Sequence, residues 1–341
     1  MSDASARHDR LLLCLVLYGV LNSVLYCSLM PLWEGFDEPF HYGYVETLSA
    51  RKAIPVLGRT RLSADVWESL HVAPLSAVVK HNLPFGMEFR EFFSLPDAER
   101  VALHKNLASL PVQLRALDSP QENSEAQQAP LAYLLLAVPD AWLLHNMQLP
   151  QRILCLRIFG ALAASFLQIA GIWSLVQTLR LGSIVGYMAL FLVLSCQMFY
   201  GAIAHVSNDW LAIPLTTWLI LGLVQFQQGP SYRKALLVGG LLAAGLLTKA
   251  YFLSWLLFVV CIVTICARSS IAFRQLFAML IPVAAFAGPW YARNFRLYGT
   301  LSGVFTMQSE KPFHSTFQAF VALHWRKVRP PDLGEIKMTR V

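Results

Sequence analysis

The sequence predicts an all-α integral membrane protein. It has about seven transmembrane helices, a long helical first loop outside the cytoplasm and a juxtamembrane helix closing that loop. Three observations carry this. Only 14% of the 341 residues are charged and 56% are hydrophobic, with a mean hydropathy of +0.50, whereas a soluble chain carries roughly a quarter charged residues. Long uncharged runs cover 11–29, 158–179, 181–208, 210–232, 251–267 and 275–292, and several reach the length of about 20 residues a helix needs to cross hydrocarbon. Finally, residues 34–130 hold 13 of the 20 acids, so the aqueous chemistry is concentrated in one loop. A soluble enzyme, a disulfide scaffold and a nucleic-acid module are excluded. The excess of Lys and Arg (27 against 20 acids) forms no basic stripe with interleaved aromatics, so no nucleic-acid partner is expected.

Each element follows in order. Arg7 and Arg10 precede the first apolar run, which sets residues 1–10 in the cytoplasm and the first span at 11–33. That run lacks a small-residue cleavage site and reads as a retained anchor. Residues 34–151 form the loop, and 86–117 has the charged periodicity of a short helix. Segment 131–148 is apolar but carries Pro139-Asp140 in its middle. An acid at mid-bilayer costs several kcal/mol, so this segment is expected to lie on the membrane surface.

Six further spans at 154–178, 183–204, 209–227, 234–249, 251–267 and 274–291 make a bundle over 152–292. Positive charges do not decide the topology. The seven-span reading puts Arg180, Arg233, Lys234, Arg268 and Arg274 inside; counting 131–148 as a span puts Arg152, Arg157, Lys249, Arg293 and Arg296 there instead. Asp140 breaks the tie, together with the motifs described below. Residues 293–341 are expected to be an extracytoplasmic segment. The six cysteines show no CxxC spacing and read as small apolar residues. His71, His81 and His104 lack metal-ligand spacing, and no phosphate-cradling glycine motif or HExxH is present.

The chemistry-bearing residues lie at the ends of the apolar runs. In Pro31-Leu-Trp-Glu-Gly-Phe-Asp-Glu-Pro-Phe-His-Tyr-Gly-Tyr-Val45, Asp37 suits a helix N-cap and Pro39 the first turn. Asp37 and His41 are then i,i+4, as are Glu38 and Tyr42, so each pair shares a face. Two adjacent carboxylates with a His can activate an acceptor or hold a divalent cation. The same residues also suit a solvated helix start with aromatic anchors. His205, Asn208 and Asp209 lie in a turn between uncharged spans, and Asp209 suits an N-cap. Lys249 interrupts an apolar stretch, where a cation snorkels or binds phosphate. Arg293 and Arg296 follow Trp290-Tyr291, a pattern of interfacial anchors or of guanidinium recognition of a lipid phosphate.

Taken together, these segments resemble membrane glycosyltransferases of the GT-C type, which include protein O-mannosyltransferases and lipid A aminoarabinose transferases. Asp37-Glu38-Pro39-Phe40-His41-Tyr42 is similar to the family's acidic motif. Gln127-Gln-Ala-Pro-Leu-Ala-Tyr133 resembles its Pro-Pro-Leu-Tyr-Tyr signature, with Ala129 and Ala132 in place of Pro and Tyr. Arg157-Ile-Phe-Gly-Ala, Asn208-Asp209, Leu247-Thr-Lys249 and Pro289-Trp-Tyr-Ala-Arg-Asn-Phe-Arg-Leu-Tyr-Gly299 resemble later segments, so the likeness spans about residues 10–305.

The resemblance implies a GT-C core in a bacterial inner membrane, with the site facing the periplasm or exterior. The donor would be a polyprenyl-phosphate-linked sugar and the acceptor a protein, lipid or cell-envelope glycan, with transfer by inversion. Asp37 and Glu38 would be catalytic, Asp37 as base. His41, Tyr42, Asn208 and Asp209 would orient the acceptor or a metal, and Arg293, Lys249, Arg296 and His205 would bind the donor phosphate. A divalent cation at Asp37 and Glu38 is compatible with this and not required. Family members continue with further spans, where this chain ends in a polar, basic segment, so the resemblance implies a truncated C-terminus within 293–341. A transporter or flippase, or a non-catalytic binder of lipid-linked glycan, are the rival readings.

Overall fold

The computed structural model describes residues 3–302 except 36, 82, 84 and 267–269. The expected Arg268 and the segment 303–341 lie outside the described residues. Among the described residues the chain is mostly helical, and four helices are long and apolar enough to cross a membrane, which makes it a multi-pass membrane protein. These are residues 10–29 of α1 (Asp3–Leu29), α8 (Leu149–Thr178), α11 (Asp209–Gln228) and the continuous stretch Arg274–Tyr298. That last stretch runs from α14 (Ser270–Pro282) through a π-helical turn (Val283–Ala287) into α15 (Gly288–Tyr298).

The expected span at 183–204 is broken. α9 (Gly182–Leu194) and α10 (Gln197–Ile203) meet at 61°. The spans expected at 234–249 and 251–267 are shorter helices, α12 (Tyr232–Leu246) and α13 (Phe252–Cys266). α12 packs on α14 at Gly239, where a Cβ would lie 2.1 Å from the Met279 carbonyl oxygen. Only glycine lets the two backbones approach so closely. Within the bundle, Ser23 of α1 meets Ser165 of α8 at 2.7 Å, and Thr217 of α11 donates to Gln168 of α8 at 3.1 Å. The cysteines at 14, 27, 155, 196 and 261 are free thiols.

The loop is more subdivided than its charge periodicity predicts. α2 (Glu38–Ser49) starts it, and β1 (Arg61–Ser63), α3 (Ala64–Val72), β2 (Pro74–Leu75), α4 (Ala77–His81) and β3 (Met87–Glu88) follow. The single helix expected over 86–117 is instead α5 (Phe89–Ser94), α6 (Asp97–Ala108) and a 3-10 turn (Val112–Ala116). Pro96 and Pro111 stand at the two breaks; each lacks an amide donor and disfavours helical geometry at the residue before it. β4 (Asp118–Glu122) pairs antiparallel with β1, and β2 pairs parallel with β3, so two small ladders interrupt the all-α pattern. α7 (Leu131–Trp142) closes the loop. Its 12 residues are too few to span. Its Asp140 is fully buried, where Arg115 donates to it at 2.5 Å.

Candidate functional site

α2 opens as the sequence predicts, with Pro39 in the first turn and Asp37 at the N-cap. The Asp37 side chain caps nothing, however. Half-exposed, it reaches back to His41, with Asp37 Oδ1 3.3 Å from His41 Nε2. His41 is buried, and its Nδ1 lies 2.6 Å from the hydroxyl of Tyr133 on α7. A partner on the far ring nitrogen fixes the orientation of an imidazole. Burial pushes the Asp37 carboxyl up, but the hydrogen bond and charge of His41, with help from Lys249, outweigh it and hold it below its ordinary value. Burial likewise favours neutral His41, and Asp37 with Glu125 reverses this and raises it.

Glu125 is the third member, and sequence reasoning missed it. Ligand atoms of Asp37, His41 and Glu125 lie within 4.8 Å of one another. Nothing local marks Glu125 among the acids of its loop. Gln128 donates to Glu125 at 2.7 Å and lies 3.4 Å from the amide nitrogen of Asn208, which ties the cluster to the α10–α11 turn. Across that turn Lys249 donates to Asp209 at 2.5 Å. The N-cap of α11 is Asn208, with Asp209 in its first turn. Asp37, His41, His205, Ser207 and Asp209 line one cavity of about 170 Å³, with Met198 of α10 on its wall. The break between α9 and α10 brings that wall to the site.

Glu38 also lines the cavity, but its carboxylate is taken up by Arg157. It is 1% exposed and takes both arms of Arg157: Nε donates to Oε1 at 2.7 Å, and a second nitrogen donates to Oε2. Oε1 also accepts the Val206 amide at 2.9 Å. Burial pushes this carboxyl up, and the Arg157 charge and hydrogen bonds bring it below its ordinary value. Arg157 also donates to the carbonyls of Met30 and Pro31 at 2.7 and 2.9 Å. A cation expected at Asp37 and Glu38 would therefore find its donors at Asp37, His41 and Glu125 instead. Two carboxylates and one imidazole, the latter oriented from behind by Tyr133, fit a divalent cation.

The remaining expected residues divide. His205 lines the cavity, with burial lowering its ring below the ordinary value. Its ring is hydrogen-bonded to the Gly201 backbone, and Nε2 is buried with no hydrogen-bond partner among the described residues. A neutral ring suits hydroxyl recognition better than the phosphate binding expected of it. His205 fits because position 35 is glycine; a Cβ there would lie 2.4 Å from its Cδ2. Tyr42 turns away from the cavity and donates to Glu46 at 3.1 Å, in a different buried cluster. Arg293 stacks on Trp290 at 4.6 Å and donates to the Pro55 carbonyl at 2.5 Å. Arg296 is exposed in the last turn of α15. Neither arginine lines the cavity.

Compared with models of protein families, with curated proteins and with solved structures, the chain matches none. The geometry therefore has to carry the functional reading.

Proposed function

We propose that this chain is a membrane glycosyltransferase of the GT-C type, moving a sugar from a polyprenyl-phosphate donor to a protein, lipid or cell-envelope glycan acceptor. The observation that carries the reading is the half-exposed Asp37 at a cavity of about 170 Å³, lined also by Asp209, to which Lys249 donates. In this reading the acceptor hydroxyl gives its proton to the Asp37 carboxylate, which its neighbours keep ionised. The freed oxygen attacks the anomeric carbon as the bond from that carbon to the phosphate oxygen breaks. The electron pair leaves on polyprenyl phosphate, and the configuration inverts. Lys249 faces the developing phosphate charge. His205 Nε2 accepts a hydroxyl of the bound sugar or acceptor. Glu38 positions Asp37 by locking the start of α2 to Arg157. A divalent cation, if bound, would sit on Asp37, His41 and Glu125 and supply positive charge there.

The topology in this reading has seven spans: α1, α8, the α9–α10 pair, α11, α12, α13 and the α14–α15 stretch. It places the site on the extracytoplasmic face. The decisive experiment supplies membranes containing the chain with radiolabelled polyprenyl-phosphate sugars and follows polyprenyl phosphate release, with wild type and Asp37→Asn side by side. Turnover lost in the variant is expected. Equal turnover in both removes Asp37 as base, and transport without bond cleavage replaces the enzyme with a transporter or flippase.

A further inference from the structure

A second buried charge cluster lies where the loop seats on α8, and the reaction above does not use it. Three carboxylates, Glu46 of α2, Asp65 of α3 and Asp140 of α7, meet two guanidiniums, Arg115 of the 3-10 turn and Arg152 of α8. None of the five is more than 7% exposed. Two of the acids have a guanidinium at closest range: Arg152 donates to Asp65 at 2.5 Å and Arg115 donates to Asp140 at 2.5 Å. Glu46 takes second place at both, 2.9 Å from Arg152 and 3.6 Å from Arg115. Its remaining neighbours are the Tyr42 hydroxyl at 3.1 Å and the Ser63 hydroxyl, which supply no charge. Ser49 adds a further hydroxyl, to Asp140. With every acid ionised, the cluster would bury one uncompensated negative charge, which a dry site strongly disfavours.

We propose that this cluster is a proton-binding site, holding one exchangeable proton on Glu46, and that release of the proton loosens the seating of the loop on α8. Protonation makes the five-member cluster neutral, and the hydroxyl so created finds an acceptor in Ser63. The electrostatics agree. Burial first, then the Asp65 charge, push the Glu46 carboxyl up to about 8 against the pull of Arg152, Ser63 and Arg115. The ordinary value is 4.5, so the folded loop holds this proton more tightly than the opened one. The stabilisation is complete below the ordinary value and is lost as pH rises through about 8. In that window the opening equilibrium of the loop grows by up to about tenfold per pH unit.

The test uses the full chain in lipid nanodiscs. Infrared spectroscopy at neutral pH should show the carbonyl stretch of a protonated carboxyl, absent in Glu46→Gln. Hydrogen exchange of α3, β4 and α7, corrected for the intrinsic base-catalysed rate, should accelerate with pH in wild type and stay flat in Glu46→Gln. Asp65→Asn guards against a misfolded glutamine variant. It removes one negative charge and leaves Glu46 ionised beside Arg152, so the band and the pH dependence should both vanish. A wild type without the band, or a Glu46→Gln variant that opens with pH as wild type does, overturns the proposal.

Discussion

Asp37 and His41 touch at 3.3 Å across one turn of α2, and Tyr133 holds the far side of the imidazole at 2.6 Å. The carboxylate that faces the cavity is thus aimed by a buried ring which is itself aimed by the helix that closes the loop. Removing the charge by Asp37→Asn leaves a half-exposed side chain of the same size, so the fold should persist with only the small stability loss of a half-exposed ion pair. Turnover in the donor assay should fall roughly 10²–10⁴-fold, the range for loss of a positioned base.

The same pair sets a pH window. The Asp37 carboxyl is held below its ordinary value, so its contribution is present above that value and is lost as pH falls through the lowered one. His41 is raised above 6.5, so its contribution is complete below that value and is lost as pH rises through the raised value. Thermal stability of the full chain should therefore weaken on both sides of the window. His41→Gln should abolish the His41 part of the alkaline limb, and an unchanged profile in that variant would rule out the pairing.

Lys249 and Asp209 are both about one-third exposed, and such pairs contribute at most about 1 kcal/mol. Lys249→Gln should leave the unfolding temperature nearly unchanged. With Lys249 facing the phosphate charge, the same variant should lower kcat/KM for the lipid-linked sugar at least tenfold. A large stability loss with unaltered kcat/KM would make the pair structural.

Gly35→Ala puts a methyl group into the His205 ring. The ring must turn, at about 1–3 kcal/mol for the overpacking, and the cavity loses its acceptor. Stability and activity should both drop. The double variant with His205→Ala should recover the stability and not the activity, which unfolding curves and turnover would separate.

The start of α2 was legible because Pro39 and the neighbouring acids act locally, within one turn of helix. The breaks at Pro96 and Pro111 are equally local, although charge periodicity alone suggested a single helix. What local spacing could not show were partners brought together by packing. Arg152 and Arg157 look like topology signals in sequence, yet each is buried on a carboxylate from the loop. Glu125 has no local signal at all. The kink between α9 and α10 was hidden for the opposite reason, since an uncharged run shows no break where the helix turns by 61°.

The attachment of Glu38 to Arg157 bears on how the chain is made. The two residues are 119 positions apart, and the Val206 amide that completes the arrangement is 168 positions on. A ribosome releasing this protein delivers the acid long before its partners, so the newly inserted first span must wait with an unneutralised carboxylate at its end. The helix that carries Asp37 can be locked only after the α10–α11 turn has been synthesised. Maturation of the site should thus be a late event in biogenesis, and nascent chains halted before that point should hold the first loop exposed to added protease.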